Sequence, residues 1–288
     1  MKILVTGITG QLGFDVEKEL TRRGIECIGV SRKELPLGEP GAARQVLEQY
    51  RPEAVIHCAA YTAVDKAEDE PELCFKVNET GTAEIAAACR ETGAKLVYIS
   101  TDYVFPGDGE DFYQVDDAKG PQNVYGEAKY RGELAVQREM ERYFIVRISW
   151  VFGENGKNFI RTMLQLAETH AHLTVVDDQI GSPTYTADLA PLLCDMVLSE
   201  KYGIYHATNE GVCSWADLAI ETFRAAGLPV QVERVPSGAY PTKAKRPKNS
   251  RLDKQSLDAA GFKRLPAWQD AVVRYVTLLK KKLSHYLT

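Results

Sequence analysis

Residues 2–13 read KILVTGITGQLG, and the fold turns on how they are read. KILVT is an apolar run with strand character, and Gly7 closes it. QLGFDVEKELTRRG (11–24) then takes up helical spacing, with Leu12, Val16 and Leu20 on one face and Gly24 as a stop. Glycines at 7, 10 and 13 therefore sit between a first strand and a first helix. Such a turn lets backbone approach a pyrophosphate, whose charge then rests on the helix N-terminus. Glycine spacing alone is weak evidence, and its place in the chain gives it weight. The spacing is G-x-x-G-x-x-G rather than G-x-G-x-x-G.

The alternation continues downstream. ECIGVS (26–31), AVIHCAA (54–60), KLVYIS (95–100) and YFIVRISWVFG (143–153) read as strands. AARQVLEQY (42–50), ETGTAEIAAACRETG (79–93) and VYGEAKYRGELAVQREM (124–140) read as the helices between them. Strands alternating with helices of this length predict βαβ units and an α/β, Rossmann-type, doubly wound parallel sheet. Beyond residue 152 the rhythm loosens. NFIRTMLQLAETH (158–170), YTADLAPLLCDMVLSEK (185–201), SWADLAIETFRAAG (214–227) and WQDAVVRYVTLLKKKL (268–283) read as helices, and a Pro-rich basic stretch fills 236–254. The expected organisation is a nucleotide-binding domain over 1–152, to which 185–210 returns, and a smaller C-terminal α/β substrate domain over 153–288.

The composition, 44% hydrophobic and 26% charged over 288 residues, is that of a soluble globular chain with a sizeable core. A net charge of −5 argues against generic nucleic-acid binding. No apolar run reaches the roughly 20 residues that span a bilayer, and no signal peptide is expected. The six cysteines lack CxxC spacing, so reduced thiols in a cytoplasm are expected. His57 and Cys58 are neighbours on a strand and read as packing residues. His170 and His172 lack an evident third ligand, so no metal site is expected.

Two further stretches carry chemistry. After the second strand, VSRKE (30–34) places Ser31 where a carboxylate would hold the adenosine ribose hydroxyls, with Arg32 next. Serine plus arginine suits a 2′-phosphate, so NADPH is the expected cofactor, with NADH a second option. Farther on, Thr101 falls at the carboxyl edge of the sheet in YISTDYVF (98–105), and Tyr125 and Lys129 follow in VYGEAK. The interval from Thr101 to Tyr125 is 125 − 101 = 24 residues. Tyr and Lys at i and i+4 share a helix face. Reduction of a ketone builds negative charge on oxygen and needs a proton. A phenol whose ordinary pKa is near 10 donates more readily beside an ammonium. Thr101 is suited to hold the carbonyl oxygen.

These residues, with CAAYTAVDKAE (58–68), Asn78 of KVNETG, STDYVFPG (100–107), VYGEAKYRGE (124–133), RISWVFG (147–153), DQIGSPTYTADLA (178–190) and RPKNSRLD (246–253), resemble the dTDP-4-dehydrorhamnose reductase family of extended short-chain dehydrogenase/reductases. The resemblance runs nearly end to end. It implies NADPH-dependent reduction of the 4-keto group of dTDP-4-dehydro-6-deoxy-L-mannose to dTDP-L-rhamnose, for polysaccharide precursors. A sugar-nucleotide epimerase of the same superfamily and a non-catalytic NADP-binding regulatory subunit stay open as alternatives. Carried over, Thr101, Tyr125 and Lys129 are the expected catalytic residues. Gly7, Gly10, Gln11, Leu12, Gly13, Ser31, Arg32, Ala60, Tyr61, Thr62, Ile99, Tyr125 and Lys129 are expected at the cofactor. Thr101, Asp102, Tyr103, Trp150, Asn158 and Arg246 are expected at the nucleotide-sugar. The chain departs from the family at ELPLGEP (34–40), where an adenine-side Asp is missing. It departs again at Asp15 and Ala187, where some members hold a bridging magnesium. Hence no metal is expected, and a monomer or weak homodimer is.

Overall fold

In the computed structural model, which describes residues 1–285, Ile3 and Val5 of the first strand pack to one side and Leu4 to the other. That alternation sets the layers, because successive side chains on a strand face opposite ways. The elements over the first half are β1 (Lys2–Thr6), α1 (Gln11–Arg22), β2 (Glu26–Val30), α2 (Ala42–Tyr50), β3 (Ala54–His57), α3 (Val64–Ala67), α4 (Pro71–Phe75), α5 (Gly81–Thr92), β4 (Lys95–Thr101), α6 (Val124–Glu139) and β5 (Tyr143–Ile148). Then come β6 (Val151–Phe152), α7 (Phe159–Leu166), β7 (His172–Val176), β8 (Ile180–Gly181), β9 (Thr184–Tyr185), α8 (Thr186–Leu198), β10 (Gly203–His206), β11 (Cys213–Ser214), α9 (Trp215–Ala226), β12 (Gln231–Val235), β13 (Asn249–Ser250), α10 (Gln255–Ala259) and α11 (Trp268–His285).

Six strands form one sheet in the order β10-β5-β4-β3-β1-β2, with every pairing parallel. Helices α1 and α8 cover one face through Leu12, Val16, Leu20, Leu189 and Leu193. Helices α2, α5 and α6 cover the other through Val46, Leu47, Ile85, Cys89 and Val136. Chain order along the sheet reverses between β1 and β3, so their carboxyl ends open a crevice there. The remaining short strands pair among themselves beside α7, α9 and α11.

The structure departs from the sequence reading at several points. YFIVRISWVFG is two strands, broken at Ser149 and Trp150, where Trp150 takes φ 50°. Strand β10, four residues long and too short to show a pattern, adds the sheet's edge beside β5. Between β3 and α5, where the sequence reading assigns no element before residue 79, lie two short helices and a π-helical turn over Lys76–Thr80.

One buried ion pair fixes α6 on the sheet. Arg147 of β5 and Glu133 of α6 form two parallel bonds of 2.7 and 2.8 Å, with side-chain exposures of only 1% and 2%. Ser100 donates to the same carboxylate at 2.5 Å, and Arg147 also donates to the Val115 carbonyl at 2.8 Å. Removing one partner of such a pair strands the other charge. Glu133→Ala is expected to lower the free energy of unfolding by about 3–5 kcal/mol in urea denaturation; a loss below about 1 kcal/mol would contradict the role given to the pair.

Candidate active site

The crevice between β1 and β3 is a cleft of about 710 Å³. Its floor is the first turn. Gly7 takes φ 68°, and a Cβ there would lie 2.8 Å from the Ala59 backbone. Gly10 is the N-cap of α1 and supplies no side-chain cap, so the first N–H groups of the helix are left for a ligand. Opposite, Thr6 Oγ1 accepts the Ala59 N–H at 3.0 Å. Asn78 brackets Tyr61, accepting its N–H at 2.8 Å and donating to its carbonyl at 2.9 Å. These contacts hold the loop Ala59–Thr62 open along the cleft wall.

Thr101 ends β4. Its hydroxyl donates to Asp102 Oδ1 at 3.0 Å and accepts the Tyr103 N–H at 3.2 Å. Ser250, far along the chain, donates to Asp102 Oδ2 at 2.5 Å. Tyr125 is the second residue of α6, a helix that starts there because the Asn123 side chain caps Gly126 N–H at 2.8 Å. Tyr103 meets Tyr125 edge-on, with ring centres 5.5 Å apart. One turn on, Lys129 donates to the Ile99 carbonyl at 2.7 Å and lies 4.1 Å from the Tyr98 ring centre.

Burial dominates the ionisation of these groups. It pushes the Lys129 ammonium down to about 7, opposed by Glu133, Cys74 and Cys58. It pushes Asp102 up to about 6, opposed by the Ser250 and Thr101 hydroxyls. Tyr103 is raised to about 12. The sequence reading had Lys129 drawing the Tyr125 phenol down. Instead burial raises Tyr125, Thr101 opposes this, and Asp102 and Tyr103 add to it. The Lys129 ammonium is directed at the Ile99 carbonyl.

A second cavity of about 360 Å³ opens beyond Tyr103 and Trp150, which line both. Trp150 stacks on Trp215 with centres 3.9 Å apart, and Trp215 donates to Gln179 Oε1 at 3.1 Å. A positive φ is costly for a bulky residue and marks a held conformation. Arg246, on this cavity's rim, donates to Asp65 at 2.6 Å and to the Tyr103 hydroxyl at 3.4 Å.

Of the residues expected from the sequence, Gly7, Gly10, Gln11, Leu12, Ser31, Arg32, Ala60, Tyr61, Thr62, Ile99, Thr101, Asp102, Tyr103, Tyr125, Lys129 and Trp150 line the large cleft. Two do not. A Cβ on Gly13 would fall 2.3 Å from the Gly7 carbonyl, so that glycine lets the helix pack under the turn. Asn158 caps α7 through Arg161 N–H at 3.0 Å and donates to Gln11 Oε1 at 3.0 Å, reaching the cleft only through Gln11. Sequence reasoning missed Glu34, Asp65 and Ser250. Asp65 lies in CAAYTAVDKAE and Ser250 in RPKNSRLD, and both motifs drew attention without showing which partners they meet. His57 is fully buried against Thr6 at 2.7 Å and burial pushes it down to about 3, as a packing residue would be. All six cysteines are free. Among the described residues, no group of three or more His, Cys, Asp or Glu is placed to hold a metal, and none of the helices is long and apolar enough to cross a membrane. Asp15 is buried and accepts the Thr186 hydroxyl.

An all-parallel sheet with a glycine-rich first turn, and a strand-end threonine lining one cleft with a helix-borne Tyr and Lys, is the architecture of the extended short-chain dehydrogenase/reductases. Residues 1–281 match the family model described as RmlD substrate binding domain. A dTDP-4-dehydrorhamnose reductase of Streptomyces griseus is 42% identical over 93% of this chain and 91% of its own length. The crystal structure of a dTDP-4-dehydrorhamnose reductase from Clostridium acetobutylicum superposes with a TM-score of 0.95 at 39% identity, covering 97% of this chain and all of that one. One from Bacillus anthracis, in complex with NADP, gives 0.93 at 40% identity over 96% and 99% of the two chains. The chain belongs to the dTDP-4-dehydrorhamnose reductase family.

Asp102 links this geometry to pH. Its folded pKa of about 6 exceeds its ordinary 3.8, so between those values the folded protein binds more protons than the unfolded one. Stability therefore falls as pH rises through that window, and the full cost is present above it. Asp102→Asn is expected to stabilise the protein by about 1–3 kcal/mol at pH 7. The gain should vanish below the ordinary carboxyl range. Denaturation at neutral and acid pH checks this; a variant less stable at pH 7 than the parent would contradict it.

Proposed function

We propose that the chain catalyses the NADPH-dependent reduction of the 4-keto group of dTDP-4-dehydro-6-deoxy-L-mannose to dTDP-L-rhamnose, supplying polysaccharide precursors. The observation that carries this is the convergence of Thr101, Tyr125 and Lys129 on one cleft, with a second cavity opening beyond Tyr103 and Trp150. The uncapped α1 N-terminus and close-packed glycines fit a dinucleotide pyrophosphate. Gly7, Gly10, Gln11 and Leu12 would hold that group, Ser31 and Arg32 the adenosine end, and Ala60, Tyr61, Thr62 and Ile99 the length between. NADPH, when bound, supplies the hydride.

The chain's own residues supply the rest. Tyr125 gives its phenolic proton to the ketone oxygen as negative charge builds there. Lys129 stabilises the phenolate left behind and meets the nicotinamide ribose. The Thr101 hydroxyl has one proton, given to Asp102 in the structure. Handing it to the substrate oxygen exchanges acceptors and leaves Asp102 held by Ser250. Trp150 and Tyr103 flank the sugar, and Arg246 meets the diphosphate. In this reading residues 1–152, with 185–210 returning, serve the cofactor, and 153–288 mainly the sugar nucleotide. The enzyme works in the cytoplasm as a monomer or weak homodimer, without nucleic-acid or membrane partners.

Two substitutions test the assignments. Tyr125→Phe removes the proton donor at little cost in volume and is expected to lower kcat by about 10²–10⁴. NADPH binding should stay nearly intact, and near-normal turnover would remove Tyr125 from the mechanism. Lys129→Met should weaken cofactor binding and turnover together; loss of affinity alone, with kcat kept, would leave Lys129 a ribose ligand only.

A further inference from the structure

The loop after β2 carries an exposed carboxylate, Glu34, bonded to the cleft-lining Ser31. Glu34 Oε2 accepts the Ser31 N–H at 2.8 Å and the Ser31 hydroxyl at 2.5 Å. Ser31 Oγ accepts the Lys33 N–H at 3.2 Å, and the Ser31 carbonyl accepts the Leu35 N–H at 3.0 Å. Residues 31–35 thus close one turn in which Glu34 accepts both Ser31 donors and Ser31 Oγ accepts the Lys33 N–H. Ser31 lines the cleft, and both its N–H and its hydroxyl are taken by an anion from the chain itself. These hydrogen bonds hold the Glu34 carboxyl below its ordinary range, so it is charged at neutral pH. Arg32, by contrast, lines the cleft and has no hydrogen bond or ion pair among the described residues.

Two anions cannot share Ser31. A 2′-phosphate that uses the Ser31 N–H and hydroxyl must displace Glu34 or sit against it, with the cleft-lining Arg32 at hand as a cation. A ribose lacking the phosphate offers hydroxyl donors instead, and a carboxylate accepts those. The sequence at 30–34 looks free of the acid that normally ends the second strand. The structure supplies one three residues later, folded back onto Ser31.

We propose that Glu34 is a cofactor-selecting residue, whose carboxylate competes with the 2′-phosphate for Ser31 and so restrains the preference for NADPH over NADH. This rests on the reading of Ser31 and Arg32 as the adenosine subsite of an NADPH enzyme. Selection by a repulsive group matters as much as selection by attraction.

Glu34→Gln keeps an acceptor for the Ser31 turn and removes the charge. Direct binding of NADPH, NADH, adenosine 2′,5′-bisphosphate and 5′-AMP to the parent and E34Q proteins separates the possibilities. E34Q is expected to raise the Kd ratio of NADH to NADPH by about five- to tenfold at low salt. The ratio of 5′-AMP to the bisphosphate should rise alongside, and both gains should shrink at 1 M salt, where the Debye length is about 3 Å. The thermal midpoint should hold. Glu34→Ala, which removes the acceptor altogether, should move the ratios the same way and covers the case in which E34Q folds poorly. Ratios unmoved in a folded variant, with tight NADPH binding by the parent, would overturn the proposal alone and leave Glu34 a turn cap. A parent protein that binds neither NADPH nor the bisphosphate would overturn the cofactor reading, and the proposal with it.

Discussion

The buried pair of Glu133 and Arg147 is the constraint on which the site depends. Glu133 lies one turn beyond Lys129 on α6, and Arg147 lies on β5 beside the end of β4. Ser100, which joins the pair, immediately precedes Thr101. The two elements that carry the chemistry are therefore pinned next to the residues that perform it. Desolvating two charges is costly, and only parallel bonds with every remaining donor satisfied offset the cost. Arg147 meets that condition by also reaching the Val115 carbonyl and lying 3.3 Å from His206. The same guanidinium thus ties the loop before α6 and the edge strand β10 to the centre of the sheet.

Around that anchor the cleft holds groups that burial disfavours. Lys129 sits against Tyr98 and the Ile99 carbonyl with its charge depressed. Asp102 keeps a carboxylate out of water with two hydroxyls for company. Trp150 holds a left-handed backbone, supported by its stack on Trp215 and by the Thr184 N–H on its carbonyl at 3.1 Å. A fold keeps such features only where surrounding packing over-determines them, and they cluster where chemistry needs them. The apolar layers on both faces of the sheet provide that packing.

How far the sequence reveals this follows from the range of the interactions. The βαβ rhythm of the first half is legible because buried parallel strands and amphipathic helices each impose a local pattern. Thr101, Tyr125 and Lys129 are legible because one strand end and one helix turn fix their spacing. Strand β10 was missed because four residues carry too little pattern, and β8, β11 and β13 have two each. Asn158 reads as a ligand in sequence, but its partners Gln11 and Tyr275 lie 147 and 117 residues away. Ser250 meets Asp102 across 148 residues, and Arg246 meets Asp65 across 181. Glu34 is near in sequence, yet its contact with Ser31 depends on how one turn closes, which composition does not encode. Gly13 belongs to the glycine motif, but only its distance to the Gly7 carbonyl shows that it serves packing.

On the proposed reading, this cleft delivers hydride and proton to a ketone at C4 of a deoxythymidine diphosphate sugar. The direct test supplies the purified protein with NADPH and a panel of nucleotide-linked 4-keto-sugars, follows the loss of NADPH absorbance, and identifies the product by NMR. Consumption of one NADPH per dTDP-4-dehydro-6-deoxy-L-mannose, with dTDP-L-rhamnose as the product, is the expected result. Conversion of the sugar nucleotide without net NADPH consumption, or no reduction of any member of the panel, would contradict it.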